Sequence, residues 1–309
     1  MQEKVEVGFN LIGTDAPFLT LDDPVKGQLN SIYGLGGTVF VDLTDDVIGY
    51  SIRRGKNREL EGFSAGEAIV TLQNTARSYD PLYTSSPYYG NIVPKKEVRI
   101  STNGITKFTG LVDDWNLDYA PGTLDTATMV TSDAFVYLAN QTLSASTATA
   151  QLSGARVSSI LDQAGFAAAL RDIDAGNTTL GADVIAEDQN VLAYLKLIET
   201  TESGLLFISK TGQVVFHQRN NLSSGSLVNF ADDGTGIAYQ NLKVVYGSEQ
   251  LANEIVISNQ TFGTVTASTA IATDTASQDA YGVFNYIATD LLMQSSSDVV
   301  NLATYLASK

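Results

Sequence analysis

The sequence predicts a mainly β protein interrupted by a small α+β insert, in the order β, α+β, β. Three observations carry that expectation. The first ~130 residues run in short stretches that alternate apolar and polar side chains and are rich in β-branched and aromatic residues, the period-2 signature of half-buried strands. The middle of the chain changes to helical spacing. From about Asn229 strand-like runs return. The chain has 309 residues, 44% hydrophobic and 17% charged. That is enough for about two domains at roughly 150 residues each, with real cores, and it excludes a mostly disordered protein. The expected boundaries are 1–135, 136–228 and 229–309.

In the first part, Thr38–Leu43, Val47–Ile52 and Ala68–Leu72 read as strands. Val98–Thr102 and Ile105–Thr109 flank Asn103-Gly104, the preferred pair for a type I′ hairpin turn because both central residues need positive φ. Further strand-like runs cover Leu111-Val112, Asn116–Tyr119 and Thr126–Val130. Many short strands between turns point to a barrel or sandwich. Thr142–Ala150, rich in Ser, Thr and Ala, reads as a linker or mobile loop.

Next, Val157, Ile160, Leu161 and Ala164 recur at helical spacing, with Gly165 as C-terminal cap. A second helix runs from about Val191 to Thr201 on Val191, Leu192, Leu195 and Ile198, capped by Asp188 or Asn190 and followed by Gly204. A hairpin then pairs Leu205–Ile208 with Val214–Phe216 across Thr211-Gly212. In the last part, Leu242–Tyr246, Ile255–Ile257 and Tyr281–Leu292 read as strands and Thr261–Ser277 as a long exposed loop. Ser295–Asp298 opens a final helix, Val299–Ala307.

Composition excludes several chemistries. There is no cysteine, so no disulfide scaffold or thiolate metal site, and one histidine rules out multi-imidazole centres. The start MQEKVEVGFN lacks the basic and apolar regions of a signal peptide, and no apolar run approaches the ~18 residues of a membrane-spanning helix. The net charge of −16 is uneven: residues 1–107 hold 11 Lys/Arg and 13 Asp/Glu, and residues 108–309 hold 7 and 21. Ordinary nucleic-acid binding needs a basic face, which the last two-thirds cannot supply.

Several motifs read more cheaply as structure than as chemistry. Gly62-Phe-Ser-Ala-Gly66 matches a nucleophile elbow, but that needs a helix after the serine, and Glu67–Leu72 reads as a strand. Asp172, Asp174 and Asp183 echo an EF-hand loop without its glycine at position six or its final glutamate. His217 sits on a hairpin strand. The pairs Asp45/Asp46, Asp113/Asp114 and Asp232/Asp233 read as loop caps, since strand neighbours face opposite ways. Trp115 with Tyr79, Tyr83, Tyr88 and Tyr89 could stack on sugar, although turn packing explains them. No phosphate-binding loop, dinucleotide fingerprint or zinc cluster is present, so no cofactor is expected.

One stretch is more specific: Ser51-Ile-Arg-Arg-Gly-Lys-Asn-Arg-Glu-Leu60, then Gly62-Phe-Ser-Ala-Gly66, a strand ending Leu72-Gln-Asn74, and Asp80-Pro followed by Ser86-Pro-Tyr-Tyr-Gly-Asn91. It resembles the N-terminal region of the minor tail proteins of long-tailed bacteriophages, the tail hub or tail-tip family. Leu242–Gly247, Asn253–Ser258 and Tyr281 through the last helix resemble later parts of that family. The resemblance covers most of 35–309 and is strongest in 47–112.

The resemblance implies two tube-forming β-barrels joined by an α+β insert, three copies in a ring whose six barrels mimic the six-fold tail tube, and an acidic lumen that lets DNA slide without sticking. Implied partners are the distal tail protein ring, the C-terminus of the tape-measure protein, and a fibre or tip protein, at the distal end of the virion tail. No enzymatic activity is implied. The basic stretch, with Arg53, Arg54, Lys56 and Arg58, is the expected assembly contact. Relatives often continue past the last helix, whereas this sequence stops at Lys309, so closure of the second barrel is left open. The alternative is a carbohydrate-binding or hydrolytic β protein of the bacterial surface.

Overall fold

The computed structural model describes residues 2–9, 38–56, 61–120, 124–223, 229–239, 241, 243, 247, 251–261 and 265–308. The chain forms two compact units. The first comprises Met1–Gly55, Ala65–Val136 and Ile208–Gln213, and the second comprises Lys56–Ser64, Tyr137–Phe207 and Val214–Lys309.

The first unit is built on one seven-stranded sheet. Its strands are β1 (Glu3–Gly8), β2 (Phe40–Asp42), β3 (Val47–Arg53), β4 (Glu67–Gln73), β5 (Glu97–Thr102), β6 (Ile105–Asp118) and β7 (Thr126–Ser132). Their order is β2-β1-β5-β6-β7-β4-β3, with every pairing antiparallel. The period-2 pattern does what it predicts: Ala68, Val70 and Leu72 of β4 are buried while Ile69 between them is exposed. They pack with Val5, Val7, Val98, Ile100, Phe108 and Met129 in one core. Asn103 and Gly104 have φ of 51° and 74°, as the β5–β6 turn requires.

Among the described residues the barrel expected here is not closed: β2 and β3 are the two edges and do not pair with each other. A 3-10 turn, Thr44–Asp46, links them, and its surroundings take hydrogen bonds of β1 that a closing strand would need. Leu43 N donates to Val5 O at 2.9 Å, and Val5 N donates to Thr44 Oγ1 at 3.1 Å.

After α1 (Ala134–Ala139) the second unit is a mosaic. Its first elements are β8 (Thr142–Leu143), β9 (Ser146–Ala148), β10 (Gln151–Leu152), α2 (Ser153–Gln163), β11 (Arg171–Ile173), β12 (Thr179–Leu180) and β13 (Asp183–Ile185). Then come β14 (Gln189–Asn190), α3 (Val191–Glu202), β15 (Leu205–Ile208) and β16 (Val214–His217). It ends with β17 (Glu254–Asn259), β18 (Thr269–Thr273), α4 (Thr275–Tyr281), β19 (Asn285–Leu291) and α5 (Ser296–Ala307). The strands fall into five small sheets, β10-β12, β11-β16-β15, β13-β9, β14-β8 and β18-β17-β19.

Both insert helices form at the predicted spacing. Asn190 caps α3, its side chain accepting from Ala193 N at 2.9 Å. The left-handed C-terminal position is Ser203 at φ 53°. Gly204 serves close approach instead: a Cβ there would lie 2.3 Å from His217 O.

Three expectations change. The Thr142–Ala150 stretch is not a free linker, because β8 and β9 within it pair with β14 and β13; its threonines suit pairing as well as looping. The stretch Thr261–Ser277 holds β18 and opens α4, whose N-cap Asp274 accepts from Ser277 N at 3.1 Å. Tyr281 therefore ends a helix, and the strand after it begins at Asn285. Of the expected strand Leu242–Tyr246 all but Lys243 lies outside the described residues. In place of a second barrel, the described residues there show the three-stranded β18-β17-β19 sheet, with Ile255, Ile257 and Leu291 packed on Val299, Leu302 and Ala303 of α5.

Candidate assembly interface

The four predicted contact residues do not act as one cluster. Arg53 ends β3 with its side chain exposed. Arg54 folds back: its Nη2 donates to Ile208 O at 2.6 Å and its Nη1 to Lys107 O at 3.2 Å. Burial pulls this guanidinium below its usual value, and the nearby Asp133 carboxylate opposes that pull. Lys56 belongs to the second unit, with its Nζ 5.8 Å above the Phe63 ring. Arg58 lies outside the described residues.

Arg54 can reach Lys107 because of a bulge. Ile100 pairs with Phe108 and Ser101 with Thr106, so Lys107 is an extra residue on β6. A bulge turns a side chain and a carbonyl out of the ladder, and the freed carbonyl accepts from Arg54. The tip of the β15–β16 hairpin supplies Lys210, also exposed, and a Cβ on Gly212 would lie 3.2 Å from Thr109 Cγ2. Lys107 and Lys210 thus join the surroundings of Arg54, although neither belongs to the basic stretch. Their sequence signal was a lysine breaking the β6 alternation and a Lys-Thr-Gly hairpin tip.

The motif residues have structural roles. Gly66 N donates to Asp133 Oδ2 at 2.6 Å, and a Cβ at Gly66 would stand 2.7 Å from that oxygen, so the position needs glycine. Asp133 Oδ1 accepts from Phe135 N at 2.9 Å at the start of α1. Asn74, buried, accepts from Tyr79 N at 3.0 Å. Tyr79, 0% exposed, stacks on Trp115 at 6.0 Å and on Tyr88 at 5.5 Å, and donates to Asp46 at 2.5 Å. Burial, then the bond to Asp46, pushes its phenol far up. Asp80 accepts from Arg77 at 2.6 Å and from Leu82 N at 2.9 Å, which holds its carboxyl below the usual range, the Arg77 bond first. Trp115, partly buried, also donates Nε1 to Val93 O at 3.3 Å. Tyr79, Tyr88 and Trp115 pack the base of a turn-rich loop, Tyr83 lies under Arg77, and Tyr89 is exposed.

The remaining candidates do not converge. Glu67–Gln73 is a strand, so the serine motif has no elbow helix. His217 lies 3.3 Å from Asp174, which also accepts from Gln218 N and Asn221. Those bonds outweigh burial and lower the Asp174 carboxyl. Asp183 accepts from Tyr194 at 2.7 Å. Asp113 pairs with Lys95, and Asp233 accepts from Thr235. Among the described residues no acidic or histidine cluster could hold a metal ion, and no helix is long and apolar enough to cross a membrane.

In the second unit four cations bond to groups of their own unit, while Lys243 is exposed. Arg156, 0% exposed, donates to Thr149 O, Gly181 O and Tyr194 Oη at 2.8–2.9 Å. Arg171 donates to Ser158 O and Phe166 O and pairs with Asp162. Arg219, buried, donates to Glu202 O at 3.2 Å, and Lys196 donates to Phe63 O at 3.0 Å and pairs with Glu199. Glu202, 0% exposed, accepts from Ser153 Oγ and from the amides of Asn177 and Thr178.

No protein-family model matches the chain, and no curated protein sequence matches it. Solved structures do. The 43 kDa tail protein of prophage MuSo2 from Shewanella oneidensis superposes with a TM-score of 0.52 at 14% identity, over 84% of this chain and 77% of that one. A tail protein from Neisseria meningitidis MC58 gives 0.51 at 10% identity, over 82% and 74%. The resemblance read from the Ser51–Asn91 motifs and the fold both point to phage tail proteins, and the chain has the fold of such proteins.

Proposed function

We propose that the chain is a structural, non-enzymatic component of a phage tail, a trimeric hub at its distal end that adapts the six-fold tube to a three-fold tip and lines the DNA channel. The observation that carries this is the shared fold with two tail proteins over more than four-fifths of the chain. It is supported by motif residues such as Gly66, Asn74 and Asp80 acting as structural anchors rather than as chemistry. The parts 1–135 and 229–309 would contribute to the tube wall and 136–228 would join them. Partners would be the distal tail ring, the C-terminus of the tape-measure protein and a fibre or tip protein. The second unit carries 8 Lys/Arg against 18 Asp/Glu, which suits a surface past which phosphate slides.

Co-purification tests this reading. Tagged chain expressed during infection should be recovered in intact tails at three copies per tail. Its absence from tails would refute it.

A further inference from the structure

Most cations of both units bond within their own unit, and in the first Lys4, Arg77, Lys95 and Arg99 pair with carboxylates. In the second unit Arg156, Arg171, Lys196 and Arg219 bond to carbonyls and carboxylates of their own unit. Its exposed side chains include Asp172, Asp188, Asp232, Asp279 and Asp290, and its net charge is −10. In the first unit, Arg53, Lys107 and Lys210 are exposed, and among the described residues their side chains make no hydrogen bond, ion pair or ring contact. Arg54 gathers two of their segments by binding the carbonyls of Lys107 and Ile208. Two carboxylates lie near. Glu67 is the cross-strand neighbour of Arg53 without pairing to it, and Asp133, close to Arg54, is buried. A group of four cations with two nearby carboxylates stands out in a chain of net charge −16.

We infer that Arg53, Lys107 and Lys210, set in place by Arg54, form the docking surface for the carboxylate-bearing second unit of another copy of this chain. This rests on the assembly reading above and names its contact. A second copy fits because this chain itself presents the complementary charge: a second unit of net charge −10 with exposed Asp172, Asp188, Asp232, Asp279 and Asp290. The contact joins different surfaces on the two copies, so it is head-to-tail, the geometry from which closed rings are built. Charge of this kind steers encounter and fixes register, and salt screens it.

The test uses the full chain and the double variant Lys107→Glu/Lys210→Glu. Arg54 is left intact, and a thermal melt checks folding. Self-association is measured by sedimentation at low and high salt, and binding of a short duplex DNA by fluorescence anisotropy. The expected result is association that weakens with salt and falls at least about tenfold in the double variant, with no duplex binding by either protein. Association that neither salt nor the double variant changes would overturn the inference and leave the hub reading standing. A monomer at low salt would overturn the second copy as partner, and tail co-purification would judge the hub reading separately. Duplex binding lost in the variant would show that the surface reads phosphate and overturn the inference as well.

Discussion

The first unit satisfies its backbone with long ladders, and the second satisfies its backbone with side chains. β6 runs for fourteen residues and finds partners on both sides. β8, β10, β12 and β14 have two residues each, so carbonyls and amides around them need other partners. Arg156 and Glu202 provide them, while Arg171 and Arg219 bind carbonyls of α2, of the turn after it and of α3, and Glu199 binds an amide of β15. Glu199 accepts from Leu206 N at 2.7 Å, and Glu202 from two successive amides. The difference shows where each unit spends its charged side chains: on surface ion pairs such as Lys95–Asp113 in the first, and on buried backbone groups in the second. In the first unit Lys4, Arg77, Lys95 and Arg99 pair with carboxylates of the same unit, and Arg53, Lys107 and Lys210 stay free for a partner. Where the backbone is irregular, Arg156, Arg171 and Arg219 are drawn into it.

The largest expected effect breaks the second unit from within. Glu202→Ala strands Ser153 Oγ and the amides of Asn177 and Thr178, and should cost about 3–5 kcal/mol. A chemical-denaturation midpoint close to that of the unaltered chain would show that the buried polar bonds do not hold this unit. Arg156→Met should be nearly as damaging. In the first unit, Tyr79→Ala removes the ring between Trp115 and Tyr88 at about 3–5 kcal/mol. Tyr79→Phe, which deletes only the bond to Asp46, should cost about 1 kcal/mol. Equal losses for the two would mean that the hydroxyl, not the stack, holds the loop.

A smaller effect depends on pH. Asp80 has its folded pKa lowered, chiefly by Arg77. Its contribution is therefore present above the unfolded carboxylate value, about pH 4, and lost as pH falls through the folded value. Asp80→Asn should lower the melting temperature at neutral pH and flatten the acid limb; an unchanged limb would remove Asp80 from the account. Smallest of all, Lys107→Ala and Lys210→Ala should alter folding stability by less than about 0.5 kcal/mol, since their side chains hold nothing within the chain. A larger loss would make these lysines structural and deny them a partner role.

The first sheet was legible in the sequence almost strand by strand, because antiparallel strands with one buried face alternate cleanly, as Ala68, Val70 and Leu72 do. Its failure to close was not, because the 3-10 turn at Thr44–Asp46 is decided by Leu43 and Thr44 meeting Val5, a contact between distant segments. Helices α2, α3 and α5 showed their period. The two-residue strands of the second unit did not, since pairs such as Thr142-Leu143 carry no period at all. Of the candidate interface, Arg53 was visible in the basic stretch. Lys107 and Lys210 were not, because a bulge and a hairpin more than a hundred residues away bring them there, and Arg54, read as a contact, binds its own chain.

The central claim is that copies of this chain dock on one another through the cationic surface that Arg54 sets in place. Light scattering on the purified full chain at low salt, over a range of concentrations, tests it most directly. The account predicts a species near three times 32.9 kDa that dissociates as salt rises. A single species of 32.9 kDa at every concentration would contradict it.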